Sequence, residues 1–195
     1  MYNRNILIAD DEVSFLSVYK NIFSTKCTEE NNFIIQTFYN GRNLLTYLKN
    51  EYDIGNRIPL AILDIKMPVM DGMETASEVR KIDPDVFILF VTAYSDISIN
   101  RLRENLKKDI YYINKPFDKE NFFYLVDTLV KNWNRNFELK EKDQFNTSLL
   151  VNSPEPIIVI NSDTSIKYVN PALEELTGFS AKEVIGLKTP YLWWS

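Results

Sequence analysis

The chain has 195 residues, enough for one domain of about 100 to 150 residues and part of a second. Acidic residues outnumber basic ones by 27 to 22, and the net charge of −5 gives no sign of a nucleic-acid-binding surface. Without histidine these residues cannot supply a phosphohistidine, a Ser-His-Asp triad or a histidine-ligated zinc site, and the five glycines form neither a P-loop nor a dinucleotide-binding turn.

Short apolar runs alternate with longer amphipathic segments along the first 130 residues. The short runs predict five β-strands at Ile6 to Ala9, Phe33 to Phe38, Leu60 to Leu63, Val86 to Val91 and Ile110 to Ile113. Helical spacing predicts helices over Phe15 to Phe23, Leu44 to Leu48, Met73 to Arg80 and, more weakly, Ile97 to Leu106. Repeated strand-helix alternation favours an α/β fold, with a parallel sheet covered by helices on both faces and ligands at the carboxyl ends of its strands.

A further helix is predicted to start near Asp118, a suitable N-cap residue. Its apolar stripe continues through Trp133 and Phe137, while the residues from Asn132 to Gln144 become charged and polar. A solvated helical connector and a mobile linker both have this composition, and we favour the helix. The predicted organisation is a first domain over 1–130, a connector over 131–144 and a second module over 145–195.

Polar residues follow the predicted strands. Asp10 and Asp11 end the first strand, Asp64 ends the third, Thr92 follows the fourth and Lys115 follows the fifth. Carboxylates crowded at one sheet edge repel one another unless a hard cation collects them, and oxygen ligands suit Mg²⁺. With the cation bound, Asp64 could attack a phosphoryl donor, and Lys115 and Thr92 could bind the phosphoryl oxygens. The alternative is that these acids cap the helices that follow them.

Four motifs resemble the response-regulator receiver family of two-component systems: ADDE at 9–12, LDIKMPVMDG at 63–72, VTAY at 91–94 and INKPF at 113–117. The resemblance implies a doubly wound, flavodoxin-like fold of five strand-helix units, and it implies Mg²⁺ as the cofactor. By position, Asp64 resembles the phosphoacceptor, Asp11 a direct metal ligand and Asp10 a ligand acting partly through water. Lys66 would bind the metal through its backbone carbonyl.

The same resemblance assigns the residues around the phosphoryl group. Thr92 and Lys115 would bind it, and Ala93 would leave space beside the acceptor. Tyr112 matches the aromatic residue that turns inward when the threonine moves, although it could also be an ordinary alternating strand residue. Pro116 resembles the family's cis-proline. Asp71 is not assigned to the metal, and Tyr94 is expected to shield the phosphoryl group from water.

The sequence from Phe145 onward resembles the opening half of a PAS sensory domain, an α+β module. It predicts a hairpin from Ile157 to Asn161 and Ile166 to Asn170, followed by helices over Pro171 to Leu176 and Ala181 to Ile185. PAS domains continue with a further helix and three strands, whereas this sequence stops at Ser195. We therefore expect a truncated module and assign it no ligand.

The resemblance implies a phosphorelay signalling protein that is not itself an enzyme. Its partner would be a sensor histidine kinase or a phosphotransfer protein, and it would pass a conformational change to the PAS module and an output. An alternative is the regulatory front portion of a larger signalling enzyme whose catalytic domain lies beyond Ser195. A receiver that works without phosphorylation is less favoured, because every residue of the site is present.

Composition also bears on location and assembly. Cys27 is the only cysteine, and the sequence shows neither a leader peptide nor an apolar run long enough to span a membrane, so we expect a cytoplasmic protein. Trp133 and Phe137 would be large apolar groups on a polar connector unless something covered them. A second copy of the helix in a homodimer, or packing onto the protein's own domains, would do so.

Overall fold

The computed structural model describes residues 2–26, 32–93 and 109–193. The chain divides into two compact units, Met1–Asn136 and Phe137–Ser195. The boundaries predicted at residues 130 and 144 remain predictions. The helix predicted over residues 97–106 lies outside the described residues, as does Tyr94.

The first unit is built on a five-stranded parallel sheet, which confirms the predicted fold class. Its strands are β1 (Asn5–Ala9), β2 (Ile34–Phe38), β3 (Leu60–Asp64), β4 (Phe87–Thr92) and β5 (Ile110–Asn114), in the spatial order β2-β1-β3-β4-β5. Every residue of β3 and β4 is buried, because helices cover both faces of the central strands, and this explains their unbroken apolar sequences. The strand order reverses direction between β1 and β3, where ligands bind in folds of this kind.

Helices connect the strands. They are α1 (Val13–Thr25), α2 (Gly41–Asp53) and α3 (Gly72–Ile82), and β5 leads into the long α4 (Lys119–Val151). Asn40 and Asp71 cap α2 and α3 by accepting hydrogen bonds from backbone N–H groups three residues ahead. Asp118 caps α4 in the same way through the N–H of Asn121, at 2.9 Å.

Aromatic side chains join α1 to the start of α4. Tyr19 lies at the centre of this cluster, with ring centroids 6.0 Å from Phe117 and 5.5 Å from Phe122. Phe117 and Phe122 stack on each other at 4.6 Å. Phe117 comes two residues after Lys115, so the cluster connects the end of β5 to two helices.

The amino-terminal end of the sheet holds the middle of α4. Trp133 is only 2% exposed, and its indole N–H donates to the backbone oxygen of Asp85 at 2.8 Å. The Asn134 side chain accepts from the N–H of Asn3 at 2.7 Å and donates to its carbonyl at 2.8 Å. Trp133 therefore packs within its own receiver unit, and no second copy is needed to cover it.

The second unit begins with an antiparallel hairpin of β6 (Ile158–Ile160) and β7 (Ile166–Val169), followed by α5 (Pro171–Thr177) and α6 (Ala181–Val184). Its small core consists of Ile166, Val169, Leu173, Val184 and Tyr191. Asn170, fully buried, organises the turn into α5, because its side chain accepts from the N–H groups of Ile157 and Leu173 and donates to two backbone carbonyls. Among the described residues, no helix combines the length and apolar character that crossing a membrane requires.

Candidate functional site

The register of the parallel sheet brings the predicted site residues to one edge. Ala9 pairs with Leu63 across β1 and β3, so Asp10 and Asp64 follow at neighbouring positions. Thr92 ends β4, and its backbone oxygen accepts a 2.7 Å hydrogen bond from the N–H of Lys115. The carboxyl ends of four strands therefore surround one small site.

Three carboxylates lie at the centre of this site. One oxygen from each of Asp10, Asp11 and Asp64 lies within 4.8 Å of the other two. Asp10 and Asp64 are 1% and 8% exposed, whereas Asp11 lies open to solvent. The cluster is thus buried on the protein side and accessible through Asp11.

Lys115 provides the positive charge within this cluster. Its ammonium lies 2.8 Å from Asp10 Oδ2 and 3.6 Å from Asp64 Oδ1. The other oxygen of Asp10 accepts the N–H of Glu12 at 3.0 Å. One ammonium does not balance three carboxylates, and the donor set of carboxylate oxygens open to solvent fits a hard divalent cation such as Mg²⁺.

The electrostatics of Asp64 follow from this arrangement. The pKa of Asp64 is raised to about 6, mainly by burial and in part by the Asp10 carboxylate, while Lys115 and the backbone N–H of Ile65 oppose the rise. The Asp64 carboxylate is therefore held in an environment that disfavours its charge. A bound cation would relieve that penalty.

Helix capping does not account for these acids. The N-cap residue of α1 is Glu12, whose side chain makes no capping hydrogen bond. The α3 cap is Asp71, whose Oδ1 accepts the N–H of Glu74 at 2.8 Å. Asp71 thus has a structural role, whereas Asp10, Asp11 and Asp64 cap neither helix.

The loop between β3 and α3 passes very close to Asp64. The N–H of Gly72 donates to the carbonyl of Ile65 at 2.9 Å, and a Cβ at residue 72 would lie 2.2 Å from the Asp64 backbone oxygen. Only glycine fits this approach. Within the same loop Val69 has a φ of 71° and is 71% exposed.

The remaining predicted residues lie around the carboxylates. Lys66 and Ala93 are exposed, each in the segment just after a site residue. Tyr112 is 48% exposed on β5, whereas its neighbour Tyr111 packs on the opposite side, 5.8 Å from the ring of Phe87. The peptide bond between Lys115 and Pro116 is cis.

Sequence reasoning missed two aromatic residues of α1 that border the site. The Tyr19 hydroxyl donates to Asp10 Oδ2 at 3.4 Å, and the Phe15 ring centroid lies 3.8 Å from Lys115 Nζ. Burial raises the pKa of Tyr19, with Asp10 and Asp64 adding to the rise, so its hydroxyl keeps its proton. Their spacing of four residues was the available signal, but an ordinary core stripe has the same spacing.

Family models match two parts of the chain. The model of the response regulator receiver domain matches residues 6–127, and the model of the PAS fold matches residues 144–194. The PAS match is partial. Both parts correspond to the resemblances seen in the sequence.

Individual relatives agree with the first match. The response regulator receiver protein CpdR of Brucella abortus is 30% identical over 114 residues, which cover 58% of this chain and 86% of CpdR. Sporulation initiation phosphotransferase F of Bacillus subtilis is 30% identical over 120 residues, which cover 60% of this chain and 86% of that protein. Both alignments are about as long as the match to the receiver domain model, which spans residues 6–127.

A solved structure supports the same fold. It is the CheX-CheY-BeF3-Mg+2 complex from Borrelia burgdorferi, with a TM-score of 0.54 and 25% identity, covering 64% of this chain and 87% of that one. The five-stranded parallel sheet, the match over residues 6–127 and these relatives agree with one another. The chain belongs to the response regulator receiver family of two-component signalling, and part of a PAS fold follows its receiver domain.

Proposed function

We propose that the receiver domain accepts a phosphoryl group on Asp64 from a sensor histidine kinase or a phosphotransfer protein. The observation that carries the proposal is the cluster of three carboxylates at the sheet edge with the ammonium of Lys115 inserted between Asp10 and Asp64. Such a site combines a nucleophile, a cation-binding set and a fixed positive charge.

In the proposed transfer, a carboxylate oxygen of Asp64 forms a bond to phosphorus as the N–P bond of the donor phosphohistidine breaks. The electron pair of that bond stays on the donor imidazole, which takes up a proton from water. Lys115 and Thr92 would donate to the phosphoryl oxygens, and Ala93 would leave room for them. The product is an aspartyl phosphate.

The side chains of Asp10, Asp11 and Asp64 would hold Mg²⁺ together with the backbone carbonyl of Lys66. The bound cation supplies neutralisation of the charge on the transferring phosphoryl oxygens. Both carboxylate oxygens of Asp10 accept hydrogen bonds, from the N–H of Glu12 and from the ammonium of Lys115. The carboxylate oxygens of Asp64 and of the exposed Asp11 are therefore the most open to direct coordination of the cation.

Mass spectrometry after incubation with acetyl phosphate and Mg²⁺ tests the central assignment. We expect one added phosphoryl group on the wild type and none on Asp64→Asn, because an amide is a poor nucleophile. Asp71→Asn is the matched control, since asparagine keeps the cap of α3, and it should be labelled like the wild type. Equal labelling of Asp64→Asn would refute the assignment.

The signal would leave the site through Thr92 and Tyr112. Thr92 is 4% exposed at the end of β4, and Tyr112 is 48% exposed on the adjacent strand. We infer that Thr92 moves toward the phosphoryl group and that Tyr112 turns inward behind it. A Tyr112 ring that stays equally exposed to solvent in the presence of beryllofluoride would contradict this.

We further infer that the receiver controls the PAS module or a further output, in the cytoplasm. The observation that favours control of a downstream module is the continuity of α4, which runs without a break from Lys119 to Val151. The alternative function is the regulatory portion of a larger signalling enzyme. A catalytic sequence downstream in the same gene would decide for that alternative.

A homodimer through α4 is a separate part of the proposal. Its support is a set of exposed apolar residues on the second half of the helix, Leu139, Phe145 and Leu149. Sedimentation of the full chain tests it: a dimer that is lost in Phe145→Glu would support the proposal, and a monomeric wild type at high concentration would remove it. Trp133→Glu is unsuitable, because Trp133 belongs to the receiver core.

A further inference from the structure

Phe15 covers one side of the Lys115 ammonium. It lies in the first turn of α1, and its ring centroid is 3.8 Å from Lys115 Nζ. The Lys115 side chain is 5% exposed, so the contact is largely removed from water. The same ammonium lies 2.8 Å from Asp10 Oδ2 and 3.6 Å from Asp64 Oδ1.

The physical effect of the ring differs from that of the two carboxylates. The face of an aromatic ring attracts a cation, and the attraction grows when water is excluded. It uses no hydrogen-bond acceptor, so the N–H groups of the lysine remain available for oxygen ligands. Besides the ring, two carboxylates hold the ammonium at the end of its flexible four-carbon stem, and Asp10 is the nearer of the two.

We propose that Phe15 is a positioning residue for Lys115, holding the ammonium between Asp10 and Asp64 where an oxygen of a phosphoryl group on Asp64 would meet it. The inference rests on the proposed role of Lys115 in binding that group. An ammonium that is already in place binds the phosphoryl group more strongly, because no conformational entropy is lost in ordering the lysine side chain when the group binds.

Simple core packing is the competing explanation of Phe15. The ring lies 6.5 Å from that of Tyr19 and is partly buried, so its removal also costs apolar contact. Leucine supplies an apolar side chain without a π face, whereas tyrosine keeps the face. Phe15→Leu and Phe15→Tyr therefore separate the two explanations.

The first measurement concerns Lys115 alone and needs neither metal nor phosphoryl group. If the end of the Lys115 side chain lies over the face of the Phe15 ring, its ε-methylene protons are shielded by the ring current. The NMR signals of these protons in the wild type should be shifted upfield, and the shift should disappear in Phe15→Leu and persist in Phe15→Tyr. Unshifted signals in the wild type would overturn the proposal.

The second measurement is the affinity for beryllofluoride at saturating Mg²⁺. We expect about 2- to 10-fold weaker binding in Phe15→Leu, near-normal binding in Phe15→Tyr, and Mg²⁺ affinity without beryllofluoride unchanged in both. In a Lys115→Met background, Phe15→Leu should cause no further loss. The same loss with and without Lys115 would overturn the proposal in favour of packing.

Failure of the proposed function would look different. A wild type that binds neither Mg²⁺ nor beryllofluoride would refute the phosphoryl site itself, and this inference with it. A wild type that binds both, with Phe15→Leu binding equally well, would refute only the role of Phe15.

Discussion

Val69 adopts a backbone conformation that a β-branched residue rarely tolerates. Its φ is 71° and its side chain is 71% exposed, so little packing offsets the strain. Asparagine accepts this conformation more readily, and Val69→Asn should raise the free energy of unfolding by about 1 kcal/mol. Chemical denaturation measures the change. Ile54→Asn is the control, an exposed apolar residue with φ of −92°, and an equal gain there would show that strain is not the cause.

Asp64 should give the metal-free receiver an unusual dependence of stability on pH. Because its pKa is about 6 in the folded protein and about 3.9 in an unfolded chain, the folded state binds more protons between these values. Its contribution therefore favours folding most below about pH 4 and is lost as the pH rises through about 6. Asp64→Asn should be more stable than the wild type by up to about 2 kcal/mol at pH 7.

Urea denaturation with EDTA at several pH values measures this difference. The gap between Asp64→Asn and the wild type should be small near pH 4 and should widen toward pH 7. A gap that stays constant over this range would show that the carboxylate is not held in an unfavourable environment. Added Mg²⁺ should stabilise the wild type selectively.

The sequence predicted the acidic residues of the site and missed their aromatic neighbours. The proximity of Asp10 and Asp64 could be predicted because the carboxyl ends of parallel strands lie at one edge of the sheet. Phe15 and Tyr19 fit the apolar stripe of α1 equally well as core residues, and only the structure shows that they contact Lys115 and Asp10. Helical spacing of apolar residues predicts which side chains share a face of the helix. It does not predict which atoms each of those side chains contacts.

Two hydrogen bonds join the middle of helix α4 to the backbone of Asn3. Asn134 exchanges hydrogen bonds with both the N–H and the carbonyl of Asn3, and both groups are partly buried. Asn134→Ala would leave these two groups without that partner and should cost about 2 kcal/mol of unfolding free energy. Asn136→Ala, at an exposed position of the same helix, should change stability by less than about 0.5 kcal/mol. Equal effects would show that the attachment to Asn3 contributes nothing.

The helices and strands were largely predictable from the sequence, because short apolar runs alternate with longer amphipathic segments. Each predicted strand agrees with an observed one to within a residue at its ends, because polar residues and turns bound every apolar run. The packing of Trp133 was not predictable, since an apolar residue on a helix can face its own domain or a second copy. No sequence pattern identifies the partly buried loop carbonyl of Asp85 as the acceptor of its indole N–H.

For the whole molecule, the paired hydrogen bond between Asn3 and Asn134 means that the receiver's first residues and the last part of its fold are neighbours in space. We therefore expect the receiver to fold with its segments in a different order along the chain. A circular permutant of the receiver, with residue 136 joined to residue 2 by a short glycine-serine linker and new ends between Gly55 and Asn56, should fold, because those two residues are exposed and lie outside the helices and strands. Circular dichroism and Mg²⁺ titration would reveal a folded protein with an intact carboxylate cluster, and an unfolded permutant would mean that folding depends on where this chain starts.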